Sequence, residues 1–378
     1  MLMKNFNRLK IIRLILYNIN NISLYYRWTM KNERLVWIDF LKFLAVFGVI
    51  GIHVSSAALD VNPLFSANWY QSVFFESIFR FAIILFIMAS GYLLLRKQQP
   101  IEVIPKRVKR ILLPFVFWLI VYAIIKIIFR QGLGSNWQIL DLFKYFITGF
   151  LDPTLISVQF WYVYMILGLY VLSPILSRWI QNAPIKEIEY MLLVWVIFSI
   201  FQFLNIDSIL LDYFRYFTGA IGYFVLGYYL AIKEKHILKN KQFGLILFII
   251  GTLITFVGTI ILSAITNQQS LFFIRLGDIT PGACLQAIGL YIIVFNTDFD
   301  RIDNKFKKWI INISKTSYGI YLVNVLVVNL LEKVHIINLT GFAFFDIIIG
   351  IVLVTAVSYI IIMIMDKIEI LRPFSGNS

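Results

Sequence analysis

Ten long apolar runs constrain what this chain can fold into more than any other feature of the sequence. Each run is close to the ~20 residues that a transmembrane α-helix requires. The runs are 36–57, 77–95, 111–129, 158–179, 188–204, 214–232, 243–265, 280–295, 311–331 and 342–365. Of the 378 residues, 60% are hydrophobic and only 14% are charged, against about 25% charged in soluble domains. The sequence therefore predicts an all-α, polytopic membrane protein with about ten transmembrane helices.

Basic residues cluster in alternate loops, and this pattern predicts the orientation of the chain. The loops after the second, fourth, sixth and eighth runs hold most of the lysines and arginines that lie between runs. Because cytoplasmic loops carry an excess of Lys and Arg, we expect a multi-pass protein of the cell membrane with both termini in the cytoplasm. The net charge of +14 does not indicate nucleic-acid binding, since the charges are distributed by loop.

Three segments are expected along the chain. Residues 1–30 form a basic N-terminal extension, either an interfacial helix or an over-long gene model whose true start is Met30, and we favour the second. Residues 31–372 form the membrane domain, and 373–378 form a short tail. In the long external connector, residues 141–150 are expected to form a helix that lies on the membrane.

The first run carries three ionisable residues, Asp39, Lys42 and His53. Charges inside a membrane are costly, so they usually serve a function. On a helix, Lys42 and His53 fall within about 20° of the same face and about 16 Å apart, with Asp39 on the same side. His53 suits a general base, or it bonds between helices. Lys42 suits an anion site oriented by Asp39, or it snorkels to the headgroups as an interfacial ion pair.

The basic run 106–110 follows the second apolar run. Arg107 and Arg110 in it could hold the phosphates of a cofactor through paired cationic forks. The alternative is anchoring by the positive-inside effect, which is the more common meaning of such a run. Both interpretations remain open from the sequence alone.

Polar and aromatic residues near the outer ends of two runs are candidates for binding a substrate. Glu76 and Arg80 are four residues apart and so share a helix face. They form either an ion pair or the polar wall of a substrate cavity. Trp161 and Tyr162 open the fourth run, where they either stack on a sugar or belong to an interfacial aromatic belt.

Four segments together resemble the acyltransferase 3 family of integral-membrane O-acyltransferases, over about residues 33–372. They are Asp39-Phe-Leu-Lys42 followed by His53, Arg80 to Leu94 with its Ser90-Gly91-Tyr92, Arg107-Val-Lys-Arg110 followed by Pro114, and Ser317-Tyr-Gly-Ile-Tyr-Leu322. In detail the likeness is greatest to the WecH-like O-acetyltransferases. Lys42 stands where the family has arginine, which keeps the charge but loses the bidentate fork. Asn324 stands where the family often has histidine.

The resemblance implies transfer of an acetyl group from acetyl-CoA to a hydroxyl of an extracytoplasmic glycan, either a surface polysaccharide or a lipid-linked sugar. Arg107 and Arg110 would meet the phosphates of the co-substrate, Lys42 would lie beside its arm, and His53 would take the proton of the sugar. We expect no metal, and membrane lipids as the surroundings. The alternatives are a transporter or exporter of a glycan or glycolipid without acyl transfer, for which discontinuous helices would speak, and a non-catalytic member of the family.

Overall fold

A computed structural model describes residues 34–128, 139–203, 219–233, 236–269, 280–333 and 339–377. The predicted N-terminal extension, the start of the sixth run and Ser378 lie outside the described residues. Residues 37–378 form one compact unit. Within the described ranges the secondary structure is helical, without strands, and this confirms the predicted all-α class.

Twelve α-helices make up the described part of the chain. They are α1 (Val36–Val61), α2 (Ala67–Ile78), α3 (Ala82–Leu95), α4 (Ile104–Ile128), α5 (Ile139–Leu151), α6 (Trp161–Asn182), α7 (Ile185–Phe203), α8 (Ala220–Ile232), α9 (Lys241–Thr266), α10 (Pro281–Phe295), α11 (Asn304–Lys333) and α12 (Ala343–Lys367). Helix α5 covers the external segment for which a helix on the membrane was expected.

Seven helical segments in the described ranges are long and apolar enough to cross a membrane. They are Val36–Val61, Ala67–Leu95, Ile101–Ile127, Val158–Asn182, Lys241–Thr266, Asn304–Lys333 and Ala343–Lys367. The other three predicted runs coincide with α7, which begins with three charged residues, and with α8 and α10, which have 13 and 15 residues. The protein is thus a helical multi-pass membrane protein, while the count of about ten spans stays a prediction.

The second predicted run contains a break that hydropathy does not show. Helix α2 ends at Ile78 and α3 begins at Ala82, so residues 79–81 form a turn within one apolar segment. The Ser77 carbonyl at this break accepts a long bond from the Arg80 N–H at 3.5 Å, and the amide of Gln286 on α10 donates to it at 2.8 Å and to Thr252 Oγ1 at 2.8 Å. Neighbouring helices must satisfy such exposed backbone groups in a membrane, and Gln286 does so here.

The start of the eighth run is regular. Helix α10 begins at Pro281, and the Thr280 hydroxyl caps it by accepting from the Ala283 N–H at 3.2 Å. Proline is favoured in the first turn because its missing N–H would have no helical partner there. Pro281 therefore starts this helix and does not interrupt it.

Helices α3 and α8 pack so closely that a side chain at residue 91 would not fit between them. A Cβ added at Gly91 would lie 1.8 Å from the Phe224 carbonyl oxygen, and one at Gly227 would lie 2.1 Å from the Met88 carbonyl oxygen. Small residues let membrane helices approach to backbone contact. Ser90, at the preceding position of α3, lines the cavity described below.

Candidate functional site

A cavity of about 410 Å³ lies between α1, α3, α4, α6 and α11, and we call it the cationic cavity. Its volume falls in the range of about 300–1,000 Å³ that is usual for small-molecule sites. The lining residues are Lys42, Phe86, Ser90, Leu93, Leu94, Arg96, Lys97, Arg107, Arg110, Ile111, Tyr162, Ile166, Tyr170, Ser317, Tyr318, Tyr321 and Gly376. Five helices and the C-terminal segment thus contribute to one site.

The charge of this cavity is of one sign. Five lining residues are cationic, namely Lys42, Arg96, Lys97, Arg107 and Arg110, and none of the lining residues in the described ranges is acidic. Clefts lined by one sign of charge attract ligands of the opposite sign. Arginine forks bind phosphate and carboxylate groups in a bidentate way. The arrangement is therefore suited to an anionic ligand that carries phosphate groups.

The loop between α3 and α4 holds Arg107 in place. Nη2 of Arg107 donates to Gln99 Oε1 at 2.7 Å. Gln99 is itself buried: its backbone N–H donates to Ser177 Oγ at 2.9 Å, and its Nε2 donates to the Leu94 carbonyl at 2.8 Å. One face of the guanidinium is thus fixed by the protein, so that its orientation is set before any ligand binds.

The Ser-Tyr-Gly-Ile-Tyr segment of α11 forms another wall of the cationic cavity. The Tyr318 hydroxyl donates to the Ile111 carbonyl at 2.8 Å, which ties α11 to α4. A Cβ at Gly319 would lie 2.0 Å from the Ser375 carbonyl oxygen, so glycine is required for the C-terminal segment to pack here. Gly376, with a φ of +69°, then lines the cavity.

A polar cluster lies at the break between α2 and α3. Glu76 is fully buried and accepts from Ser55 Oγ at 2.5 Å, and its other oxygen pairs with the Arg80 guanidinium. His53 is half-buried two residues before Ser55, and it interacts electrostatically with Arg80. We call Ser55, Glu76, Arg80 and His53 the polar cluster. It combines an imidazole, a carboxylate and a guanidinium inside an apolar bundle.

Asp39 lies at the other end of α1 and fixes that helix to α11. It is buried, and it accepts from Ser314 Oγ at 2.6 Å. Lys42 follows one turn later and enters the cationic cavity. His53, eleven residues beyond Lys42, is not among the residues that line this cavity. The two ends of the predicted polar stripe on α1 therefore belong to two different places in the structure.

A second cavity of about 500 Å³ lies further along α4 and α11, and we call it the distal cavity. It is lined by Tyr122, Ile125, Lys126, Thr154, Ile156, Ser157, Val158, Val325, Leu326, Asn329, Leu330, Glu332 and Lys333. Lys126 is nineteen residues beyond Arg107 on α4, about 28 Å along the helix axis. That distance is close to the ~30 Å thickness of the hydrocarbon core, so the two cavities lie near opposite ends of the membrane helices.

A hydrogen-bonded partition separates the two cavities. Tyr321, which lines the cationic cavity, donates to the Gln159 carbonyl. The Gln159 amide donates to the Tyr122 hydroxyl at 3.1 Å, and Tyr122 lines the distal cavity. The same hydroxyl donates to the Leu322 carbonyl at 3.0 Å and accepts from the Leu326 N–H at 2.7 Å. Tyr122 thus reaches into the backbone of α11 between successive turns.

The structure groups most of the candidate residues. Lys42, Arg107, Arg110 and Tyr162 meet at the cationic cavity, while Glu76 and Arg80 join His53 in the polar cluster. Trp161 is half-buried at the start of α6 and does not line the cationic cavity. The roles assigned to all of these residues remain predictions.

Sequence reasoning did not single out several residues that the structure places at these sites. Arg96 and Lys97 were noticed only as topology signals, although they line the cationic cavity. Ser55 gave no signal, because serines in apolar helices commonly bond to their own backbone. Its position two residues after His53 was the one indication available.

A bundle of apolar helices with a cationic cavity and a separate ionisable cluster defines a polytopic membrane protein with a site suited to an anionic ligand. Residues 35–363 match the type-3 acyltransferase family, which is described as an acyltransferase domain. The match covers most of the chain, and the protein belongs to this family of membrane acyltransferases. Neither a curated protein nor a solved structure gives a significant match to the chain.

Proposed function

We propose that the protein is a membrane O-acetyltransferase that moves an acetyl group from acetyl-CoA to a hydroxyl of a glycan on the other side of the membrane. The observation that carries the proposal is the cationic cavity, which joins Lys42, Arg107 and Arg110 from separate segments without an acidic lining residue in the described ranges. An acyl donor with several phosphates suits such a cavity. The positive-inside pattern supports a cytoplasmic opening for it.

The donor would bind with its phosphates against Arg107 and Arg110, where Gln99 already orients one guanidinium. Its thin arm would run past Lys42 toward the apolar and aromatic wall. Tyr162 contributes to that wall, with its ring 5.1 Å from the ring of Tyr321 and 6.2 Å from that of Phe86. The cavity thus offers cationic groups together with an apolar and aromatic wall.

The chemical step is assigned to the polar cluster. His53 takes the proton from the acceptor hydroxyl while that oxygen attacks the thioester carbonyl. A C–O bond forms, the C–S bond breaks, and the proton passes from the imidazole to the leaving thiolate. Arg80 and Glu76 form the polar wall on the acceptor side. The interval of about 16 Å between Lys42 and His53 along α1 is suited to a long donor arm.

The donor site is tested by acetyl-CoA binding to purified protein in nanodiscs. The double variant Arg107→Gln/Arg110→Gln should weaken binding by about 100-fold, since each lost charge-assisted contact is worth about 1.5–3 kcal/mol and 1.4 kcal/mol is about tenfold. Lys106→Gln/Lys109→Gln is the matched control, because it removes the same charge from exposed positions of α4 that do not line the cavity. Equal losses in both double variants would refute the donor site.

The catalytic assignment is tested separately with His53→Ala. We expect this variant to bind acetyl-CoA as well as the unmodified protein but to transfer no acetyl group to glycan. The measurement in cells is mass spectrometry of surface glycans for the loss of an acetyl increment. Transfer at an unchanged rate would remove His53 from the mechanism.

One observation favours a transporter of a glycan or glycolipid as the second candidate. The break at residues 79–81 interrupts a predicted membrane span beside Arg80, and discontinuous helices are frequent at the binding sites of transporters. A transporter needs no acyl donor. The acetyl-CoA binding experiment therefore separates the two candidates, since a transporter would show no binding that depends on Arg107 and Arg110.

A further inference from the structure

We propose that the distal cavity binds the negatively charged group of an acidic sugar acceptor, with Lys126 as its anchor. This inference rests on the proposed function, because it names the chemical class of the acceptor. The charged group is a carboxylate or a phosphate carried by the sugar. The hydroxyl to be acetylated would then lie on the side of the polar cluster.

Lys126 has the features of a ligand-binding cation. It is half-buried in the wall of the distal cavity, and its Nζ donates to the Leu155 carbonyl at 3.0 Å. In the ranges that the structure describes, no carboxylate pairs with this ammonium group. An ammonium has three donors, so two remain for an anion. A lysine that lines a cavity at the end of a membrane-spanning segment is a candidate for binding an anion.

The remaining wall of the distal cavity suits a sugar. Ser157 and Thr154 supply hydroxyls, and Asn329 supplies an amide. Glu332 adds one carboxylate that can accept from sugar hydroxyls. The cavity volume of about 500 Å³ lies within the range of small-molecule sites.

Carboxylates lie between the distal cavity and the polar cluster. Glu332 in the cavity wall and Glu76 in the polar cluster are each near enough to Asp60, at the end of α1, to be repelled by its negative charge. Asp60 is two turns beyond His53, about 10 Å along α1. A sugar with its anion at Lys126 would extend its hydroxyl toward the imidazole, where it meets the thioester. The partition of Tyr122, Gln159 and Tyr321 would separate only the anionic group of the sugar from the phosphates of the donor.

A purely structural role for Lys126 makes a different prediction. A lysine near the C-terminal end of a helix is favoured by the helix dipole, and its stem can snorkel along apolar surface. Neither effect gives a preference for acidic over neutral sugars. The choice between the roles is therefore a question of ligand charge.

The test measures sugar binding to the full-length protein in phosphatidylcholine nanodiscs by saturation-transfer NMR. The probes are methyl glucuronide against methyl glucoside, and N-acetylglucosamine 1-phosphate against N-acetylglucosamine. We expect one acidic probe to bind more tightly than its neutral partner. Lys126→Gln should weaken binding of the acidic probe about tenfold, the order expected for one charge-assisted hydrogen bond. It should weaken binding of the neutral probe less than about twofold. Lys126→Arg should keep the preference.

Lys144→Gln is the matched control, because Lys144 is an exposed lysine on α5 outside the distal cavity. Equal binding of acidic and neutral probes to the unmodified protein would overturn the inference. So would an equal loss for both kinds of probe in Lys126→Gln, or displacement of the acidic probe by phosphatidylglycerol, which would assign the site to a lipid headgroup. If Lys126→Gln does not fold, the acid preference of the unmodified protein and of Lys126→Arg decides.

The binding readout keeps this inference separate from the proposed function. Binding of an acidic sugar that depends on Lys126, without any acetyl transfer, would refute the acetyltransferase and leave the acidic-sugar site in place. Acetyl transfer to neutral sugars only, without binding of acidic sugars, would refute the acidic-sugar site and leave the acetyltransferase in place.

Discussion

Substitution of Gly91 by alanine tests the packing that shapes the cationic cavity. The added Cβ would lie 1.8 Å from the Phe224 carbonyl oxygen, whereas ordinary contact begins at 3.4 Å. Helices α3 and α8 would have to separate by about 1.6 Å, and close-packed interiors resist such shifts. Overpacking of this kind costs about 1–3 kcal/mol. Because Ser90 next to it lines the cavity, we also expect weaker acetyl-CoA binding.

Gly168→Ala on α6 is the matched control, since nothing lies within 4 Å of a Cβ added there. In a helix, alanine is favoured over glycine by about 0.8–1.0 kcal/mol. Because both glycines are in helices, this gain applies to both variants, and the two should differ by the overpacking cost of about 1–3 kcal/mol in the free energy of unfolding, measured by SDS titration in mixed micelles. Gly227→Ala loosens the same interface, so the double variant with Gly91→Ala should lose less than the sum. Equal stability of Gly91→Ala and Gly168→Ala would refute the close contact.

Two further predictions concern the polar groups on α1. Ser55→Ala removes the donor to buried Glu76 and should lower the free energy of unfolding by about 1.5–3 kcal/mol. Ser56→Ala, at the next position, is the control and should change this free energy by less than about 0.5 kcal/mol. Similar values for the two variants would contradict the hydrogen bond. Lys42→Arg restores a bidentate fork and should raise kcat/KM for acetyl-CoA in the acetyl-transfer assay; a lower value would show that the cavity is shaped for lysine.

The sequence predicted the groups that carry charge more readily than the contacts that hold them. Lys42, Arg107 and Arg110 were recognisable because ionisable residues are rare in an apolar chain, and the structure brings them to one cavity. The contact of Ser55 with Glu76 joins positions twenty-one residues apart, and local sequence says nothing about such a meeting. Family membership followed from motifs that are short but occur in a fixed order.

The break at residues 79–81 shows why hydropathy has a limit. Averaging over about nineteen residues registers the apolar character of the segment but not the backbone turn inside it. The Ser77 carbonyl at this turn accepts a hydrogen bond from Gln286, which lies more than two hundred residues later in the chain. Hydropathy also does not fix the number of spans, because it does not show where a helix ends inside an apolar run. Helices α8 and α10 are about 20 and 22 Å long, shorter than the hydrocarbon core of ~30 Å.

The hydroxyl of Tyr122 interrupts the backbone hydrogen bonding of α11 at one turn. It stands between the Leu322 carbonyl and the Leu326 N–H, so one rung of that helix depends on a side chain from another element. A helix bends at least cost where a side chain enters its ladder. Any motion that opens the partition between the two cavities will therefore bend α11 at a single turn, while the rest of the helix keeps its geometry.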